Sequence, residues 1–197
     1  MSDYYKTIKG QSEGFFKDRN SKFYAFAYHV ESEDEVKEHL KALQKKFHDA
    51  RHIVYAFVIG ENGDISRASD SGEPAGSSGP PVLRAIKSAG LTNILIAVVR
   101  YFGGKKLGIP GLINAYGSAA QDAIDNAQIE TKVIADTLTL ECPYNMVSKV
   151  MHILEKYSAK IVTQEYGTGC KMEIEVPQSK TAALSEVLEQ NRISVSK

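Results

Sequence analysis

Cysteine is scarce in this chain: only Cys142 and Cys170 occur in 197 residues. Their separation fits no metal-ligand spacing, and both sit in strand-like segments, so they read as reduced core residues of a cytosolic protein. Neither sign of charge is in excess, with 24 Lys and Arg against 24 Asp and Glu. That argues against a grip on nucleic acid through overall charge, so any such contact has to be a local patch. No apolar run approaches the ~20 residues that a membrane-crossing helix needs. The opening Met1-Ser2-Asp3-Tyr4-Tyr5-Lys6 lacks the apolar region of a signal peptide. Together these absences lead to the expectation of a soluble cytoplasmic protein.

What is present is ordinary globular material, 43% hydrophobic and 24% charged, enough for one large or two small domains. Residues 4 to 30 alternate like strands. Phe23, Ala25, Ala27 and His29 share one face, and Tyr24, Phe26, Tyr28 and Val30 the other, which suits a strand covered on both sides. Ser32-Glu33-Asp34-Glu35 is a capping box, and Val36, Leu40, Leu43 and Phe47 follow at helical spacing. A strand over Ile53 to Ile59 and a return strand near Ile65 flank the hairpin signal Asn62-Gly63. Thr92 to Tyr101 reads as a central apolar strand. Leu112, Ala115, Tyr116, Ala119, Ala120, Ala123 and Ile124 line one helical face. The pattern restarts after residues 130 to 135, dividing the chain into domains 1–132 and 133–197. The second reads βαββαβ, the ferredoxin-like unit, with Asn145 and Ser179 as helix caps. The fold class is therefore α+β.

Two stretches carry chemistry. The first is Val98-Val99-Arg100-Tyr101-Phe102-Gly103-Gly104-Lys105-Lys106-Leu107-Gly108. It combines cations, aromatics and glycines between a strand and a helix expected from Pro110 onward. Glycines allow close backbone approach, and a helix N-terminus favours anions, so this is a candidate anion or nucleic-acid contact. A tight structural turn accounts for it equally well. Phe102 alone reads as a core aromatic. The second stretch is Ser69 to Pro81, which opens another helix with prolines in its first turn. Asp70 and Glu73 there could accept protons, bind a metal or cap local N–H groups. His48 and His52 are four apart, but no glutamate follows His48 in the metalloprotease pattern. No metal and no cofactor is expected.

Arg100-Tyr101-Phe102-Gly103-Gly104, with Leu107-Gly108, Gly111-Leu112-Ile113 and Ala115-Tyr116, resembles the signature of the Impact family, the YigZ-like proteins. Ser69-Asp70-Ser71-Gly72-Glu73-Pro74 with Gly76 and Gly79 resembles the family's second motif, and His52 falls where the family places a strand-start histidine. Asn114 departs from the pattern, standing where many members carry a basic residue. The resemblance implies an N-terminal fold similar to domain IV of elongation factor G, with a sheet and helices on one face. It implies a C-terminal domain similar to domain V of that factor. Eukaryotic members are linked to translational control. Residue chemistry and the resemblance together put forward as binding residues Arg100, Tyr101, Gly103, Gly104, Lys105, Lys106, Gly108, His52, Asp70 and Glu73. The function expected is a non-enzymatic, translation-linked protein contacting RNA, the ribosome or a translation factor. An enzyme acting on a phosphorylated or anionic small molecule, in a cleft between 69–79 and 100–108, and a protein-interaction module are the alternatives.

Overall fold

Strand β6 (Ile94–Tyr101) is apolar on both faces because it lies in the middle of a five-stranded sheet, buried from Ile94 to Arg100. The computed structural model describes residues 3–197; Met1 and Ser2, part of the stretch searched for a leader, lie outside the described residues. In chain order the larger unit, Tyr5–Lys132, is built from β1 (Tyr4–Ile8), β2 (Gln11–Asp18), β3 (Ser21–His29), α1 (Glu33–Lys46), β4 (His52–Ile59), β5 (Ile65–Ser69), α2 (Gly79–Ser88), β6, α3 (Gly108–Asp125) and β7 (Ile129–Val133). The sheet order is β2-β3-β6-β4-β5, every neighbouring pair antiparallel, while β1 and β7 form a two-stranded ribbon.

Two turns fix the register. Arg19 and Asn20 both adopt left-handed backbone (φ 44° and 66°) and close the β2–β3 hairpin in two residues. The β4–β5 hairpin falls where Asn62-Gly63 marks it, but it is a five-residue loop between Ile59 and Ile65. There only Gly60 and Gly63 are left-handed, and the Gly63 N–H donates to the Gly60 carbonyl at 2.9 Å.

The sheet is covered on both faces, which corrects the expectation of helices on one. α2 and α3 pack Val82, Ile86, Ala115, Tyr116 and Ala119 onto Phe23, Ala25, Val54, Ile96 and Val98. α1 packs Val36, Leu40, Leu43 and Phe47 onto Phe26, Tyr28, Leu95, Ala97 and Val99. The cause is in the strands themselves: β3 and β6 carry apolar side chains at successive positions, so both sides have surface to bury. α1 has the expected cap, Ser32 Oγ accepting from the Glu35 N–H, and the Glu35 carboxylate reaches back to the Glu31 N–H at 2.8 Å.

The second unit joins Val133–Lys197 with Asp3 and Tyr4. It contains β8 (Ala135–Cys142), α4 (Val147–Lys156), β9 (Lys160–Tyr166), β10 (Cys170–Pro177), α5 (Thr181–Gln190) and β11 (Ser194–Ser196). The order β11-β8-β10-β9 is the ferredoxin-like arrangement. Cys142 and Cys170 face each other across β8 and β10, free and buried in its core. Neither Asn145 nor Ser179 caps a helix. Each lies in a short 3-10 turn, and Ser179 gives its N–H to Asp3 Oδ1 at 2.8 Å instead.

Candidate functional site

Asp70 is the organiser of the first loop, and it works on backbone. Its Oδ1 accepts the N–H groups of Ser78 (3.0 Å) and Gly79 (2.8 Å) and the Ser78 hydroxyl (2.7 Å), and its Oδ2 accepts the Gly76 N–H (2.8 Å). α2 needs this because the Ser78 side chain makes no cap bond to the helix and Pro80 and Pro81 have no N–H. Gly79 is required at the same place, since a Cβ there would stand 2.8 Å from the Ser69 backbone. Burial pushes the Asp70 carboxyl up, but the bonds from Gly76, Ser78 and Gly79 outweigh it and hold the group below the usual carboxylate range. A depressed folded-state pKa stabilises above the unfolded value and is lost as pH falls through the folded one. Asp70→Ala is therefore expected to cost about 1–2 kcal/mol, the range for a lost helix cap. The deficit against the parent should shrink as pH falls below about 4; acid-to-neutral urea titrations of both proteins check it.

The backbone then turns through left-handed Ser71 and Gly72 (φ 48° and 86°), which brings the Ser71 carbonyl to His52 Nδ1 at 2.8 Å. A carbonyl only accepts, so Nδ1 is the donor in this contact.

Glu73 meets Arg100. Register places Phe23, Arg100 and His52 in one row across β3, β6 and β4, so Arg100 points to the face covered by α2 and α3. Its Nη1 donates to Glu73 Oε1 at 2.6 Å, with the two side chains only 8% and 5% exposed. The Tyr116 hydroxyl, from α3, donates to the same oxygen at 2.7 Å. Burial first, and then this bond to a carboxylate, push the Tyr116 phenol far above its ordinary value, so it stays a neutral donor. The guanidinium lies 5.5 Å from both the Phe23 and Phe102 rings, and its buried Nε–H has no acceptor among the described residues.

A cavity of about 430 Å³ opens over this pair, lined by Arg51, His52, Glu73, Pro74, Arg100, Phe102 and the α3 entry from Lys106 to Ile109 with Leu112. Of the residues singled out from sequence, His52, Glu73, Arg100, Lys106 and Gly108 meet here. Asp70, Tyr101, Gly103, Gly104 and Lys105 do not line it. Tyr101 points to the opposite face, its hydroxyl donating to Asp49 at 2.7 Å. Gly103 lies against the β2–β3 turn, its N–H donating to Ser21 Oγ at 3.1 Å. Phe102, read as a core residue, is 56% exposed. Arg51 and Ile109 were missed, and no local pattern marks them. α3 starts two residues before Pro110, at Gly108 (φ 72°), and no side chain caps its first turn. Among the described residues no three His, Cys, Asp or Glu side chains gather to hold a metal ion.

Fold and cavity together define a two-domain α+β protein whose larger domain joins two glycine-rich loops around a buried Arg–Glu–Tyr cluster. The profile of the Impact N-terminal domain matches residues 19–124, and a domain of unknown function, DUF1949, matches residues 140–190. The chain is 31% identical to the Impact family member YvyE of Bacillus subtilis over 182 residues, 92% of this chain and 84% of that protein. It is 33% identical over 119 residues to the Protein IMPACT homolog of Saccharomyces cerevisiae, 58% of this chain and 45% of that one. A crystal structure described as a hypothetical protein superposes with a TM-score of 0.70 at 25% identity, covering 99% of this chain and 97% of that one. The chain belongs to the Impact family.

Proposed function

We propose that this is a translation-linked binding protein whose larger domain holds an anionic segment, the phosphate backbone of RNA, in the cavity between the 69–79 and 100–108 loops. One observation carries this reading. The cavity's carboxylate, Glu73, is already engaged by Arg100 and Tyr116, while Arg51, Lys106 and the uncapped start of α3 remain to receive an anion. Lys105 adds a second exposed cation beside Lys106. The link to translation is supported by family membership, because eukaryotic members of the Impact family are linked to translational control. The yeast relative's own partners are not carried over, since the match covers only 45% of that protein.

Phosphate contacts make binding salt-dependent, because each neutralised phosphate releases counterions. Lys105→Glu with Lys106→Glu is expected to weaken low-salt binding to ribosomes about tenfold or more and to flatten the salt dependence by about two units of slope. Co-sedimentation across a salt series measures both. Absence of co-sedimentation at low salt, or binding indifferent to the double change, overturns the reading. A phosphorylated small molecule is the second reading, favoured by a volume within the ligand-pocket range and by the two cations, Arg51 and Lys106, in its lining. Thermal stabilisation by inorganic phosphate, lost in Arg51→Ala, would favour it instead.

A further inference from the structure

We infer that the α1-facing side of the larger sheet carries, at its β2 edge, a stacking platform for the unpaired bases of single-stranded RNA. The inference rests on the RNA reading above but on a different surface. Phe15 on β2 stands directly opposite Tyr24 on β3, and Tyr101 on β6 lies diagonally beyond it. The ring centroids are 5.1 Å apart for Phe15 and Tyr24 and 6.2 Å for Tyr24 and Tyr101. Three aromatic rings thus run in a row across three neighbouring strands. α1 covers Phe26, Tyr28 and Ala97, Tyr24 and Tyr101 pack at the margin of that core and stay half-buried, and Phe15 lies outside it, 46% exposed.

Charge identifies the occupant. Lys17 and Lys22 lie directly opposite each other in the same hairpin, and Lys22 also pairs with Tyr101. Like charges in that position destabilise a sheet. Both are exposed, and neither enters an ion pair among the described residues. An uncompensated cation pair beside a row of rings has the composition of a single-strand site, where cations follow the backbone and rings take the bases. Two carboxylates share this face: Asp49, which accepts from the Tyr101 hydroxyl at the β6 side, and Glu13 at the far end, opposite Phe26. The platform is also continuous with the cavity. Phe102 borders both, sharing a shallow depression with Asn20, Lys22, Tyr24 and Tyr101, and Arg19 at the hairpin tip donates to the Lys106 carbonyl at 3.3 Å. A strand whose phosphates lie in the cavity can therefore lay its next bases on the rings. Duplex RNA cannot, because its bases are stacked on one another.

The test is fluorescence anisotropy of the full chain with labelled oligouridine and with an RNA duplex. Phe15→Thr with Tyr24→Thr is expected to weaken oligouridine binding about tenfold while leaving duplex affinity unchanged. Phe15→Thr alone, at an exposed edge position, carries the test if the pair does not fold. Lys22→Glu should raise the melting temperature, by removing the repulsion with Lys17, and at the same time weaken oligouridine binding. A purely structural patch would not produce those opposite signs. If the parent binds RNA and these variants bind it equally well, the platform is wrong and the cavity reading stands. Equal loss for single strand and duplex overturns base stacking. If the parent binds no RNA at low salt, the platform and the RNA reading fail together.

Discussion

Glu73→Ala is expected to destabilise the larger domain by about 3–5 kcal/mol, the cost of leaving one partner of a buried ion pair alone. The size follows from where the charge is left. Arg100 is fixed on the central strand with its side chain only 8% exposed, and both of its neighbours in the row, Phe23 and His52, are held by strand pairing. Its Nε–H already lacks an acceptor, so removing Glu73 would orphan Nη1 as well as the Tyr116 hydroxyl. Three buried donors without partners make a heavy penalty. Glu73→Gln keeps an acceptor but loses the charge, so it should fall between parent and Glu73→Ala. Glu73→Leu combined with Arg100→Met should recover much of the loss, because replacing both partners by apolar groups removes the uncompensated charge. Urea denaturation of the four proteins measures the series. A Glu73→Ala cost within about 1 kcal/mol, as for an exposed pair, would mean that the cluster is not closed to water.

Gly103→Ala should be the most damaging of the small changes in the signature loop. A Cβ there would lie 2.1 Å from the Asn20 carbonyl carbon and 2.2 Å from the Ser21 nitrogen. Both obstacles are backbone, at the junction of β3 with a two-residue turn that already uses two left-handed non-glycine residues. No rotamer change can make room, so the loop or the hairpin has to shift, at a cost of about 1–3 kcal/mol or more. The Gly103 N–H bond to Ser21 Oγ would be lost in the same movement. Gly104→Ala is the control: its φ is 87°, but nothing lies within 4 Å of a Cβ, so it carries backbone strain without a clash. Melting temperatures of the two variants should differ clearly, with Gly103→Ala lower. Equal melting temperatures would show that the contact with the hairpin is not what the glycine is for.

The two glycine-rich loops were recognisable as a pair because each combines special residues at a strand–helix junction. Their division of labour was not recognisable. Asp70 and Glu73 are three residues apart in one loop, yet one binds only its own loop and the start of α2, while the other is buried against Arg100. Arg100 and Tyr101 are adjacent, and strand alternation alone sends them to opposite faces. Which face held the cavity depended on where α3 packs.

By itself the sequence determined the local elements: the capped α1, the alternating strands, the restart of a ferredoxin-like pattern after residues 130 to 135, and the two stretches that matter. These follow from periodicities and caps that act within a few residues. Only the tertiary structure decided that helices cover both faces of the larger sheet. It also decided that Arg100 turns inward to Glu73 and Tyr116, that Phe102 is open to solvent, and that Phe15, Tyr24 and Tyr101 form one row. Those outcomes depend on pairing among strands far apart in the chain, from β2 at residue 11 to β6 at residue 101. Strand order and register place these side chains, and neither is written in any single window of residues.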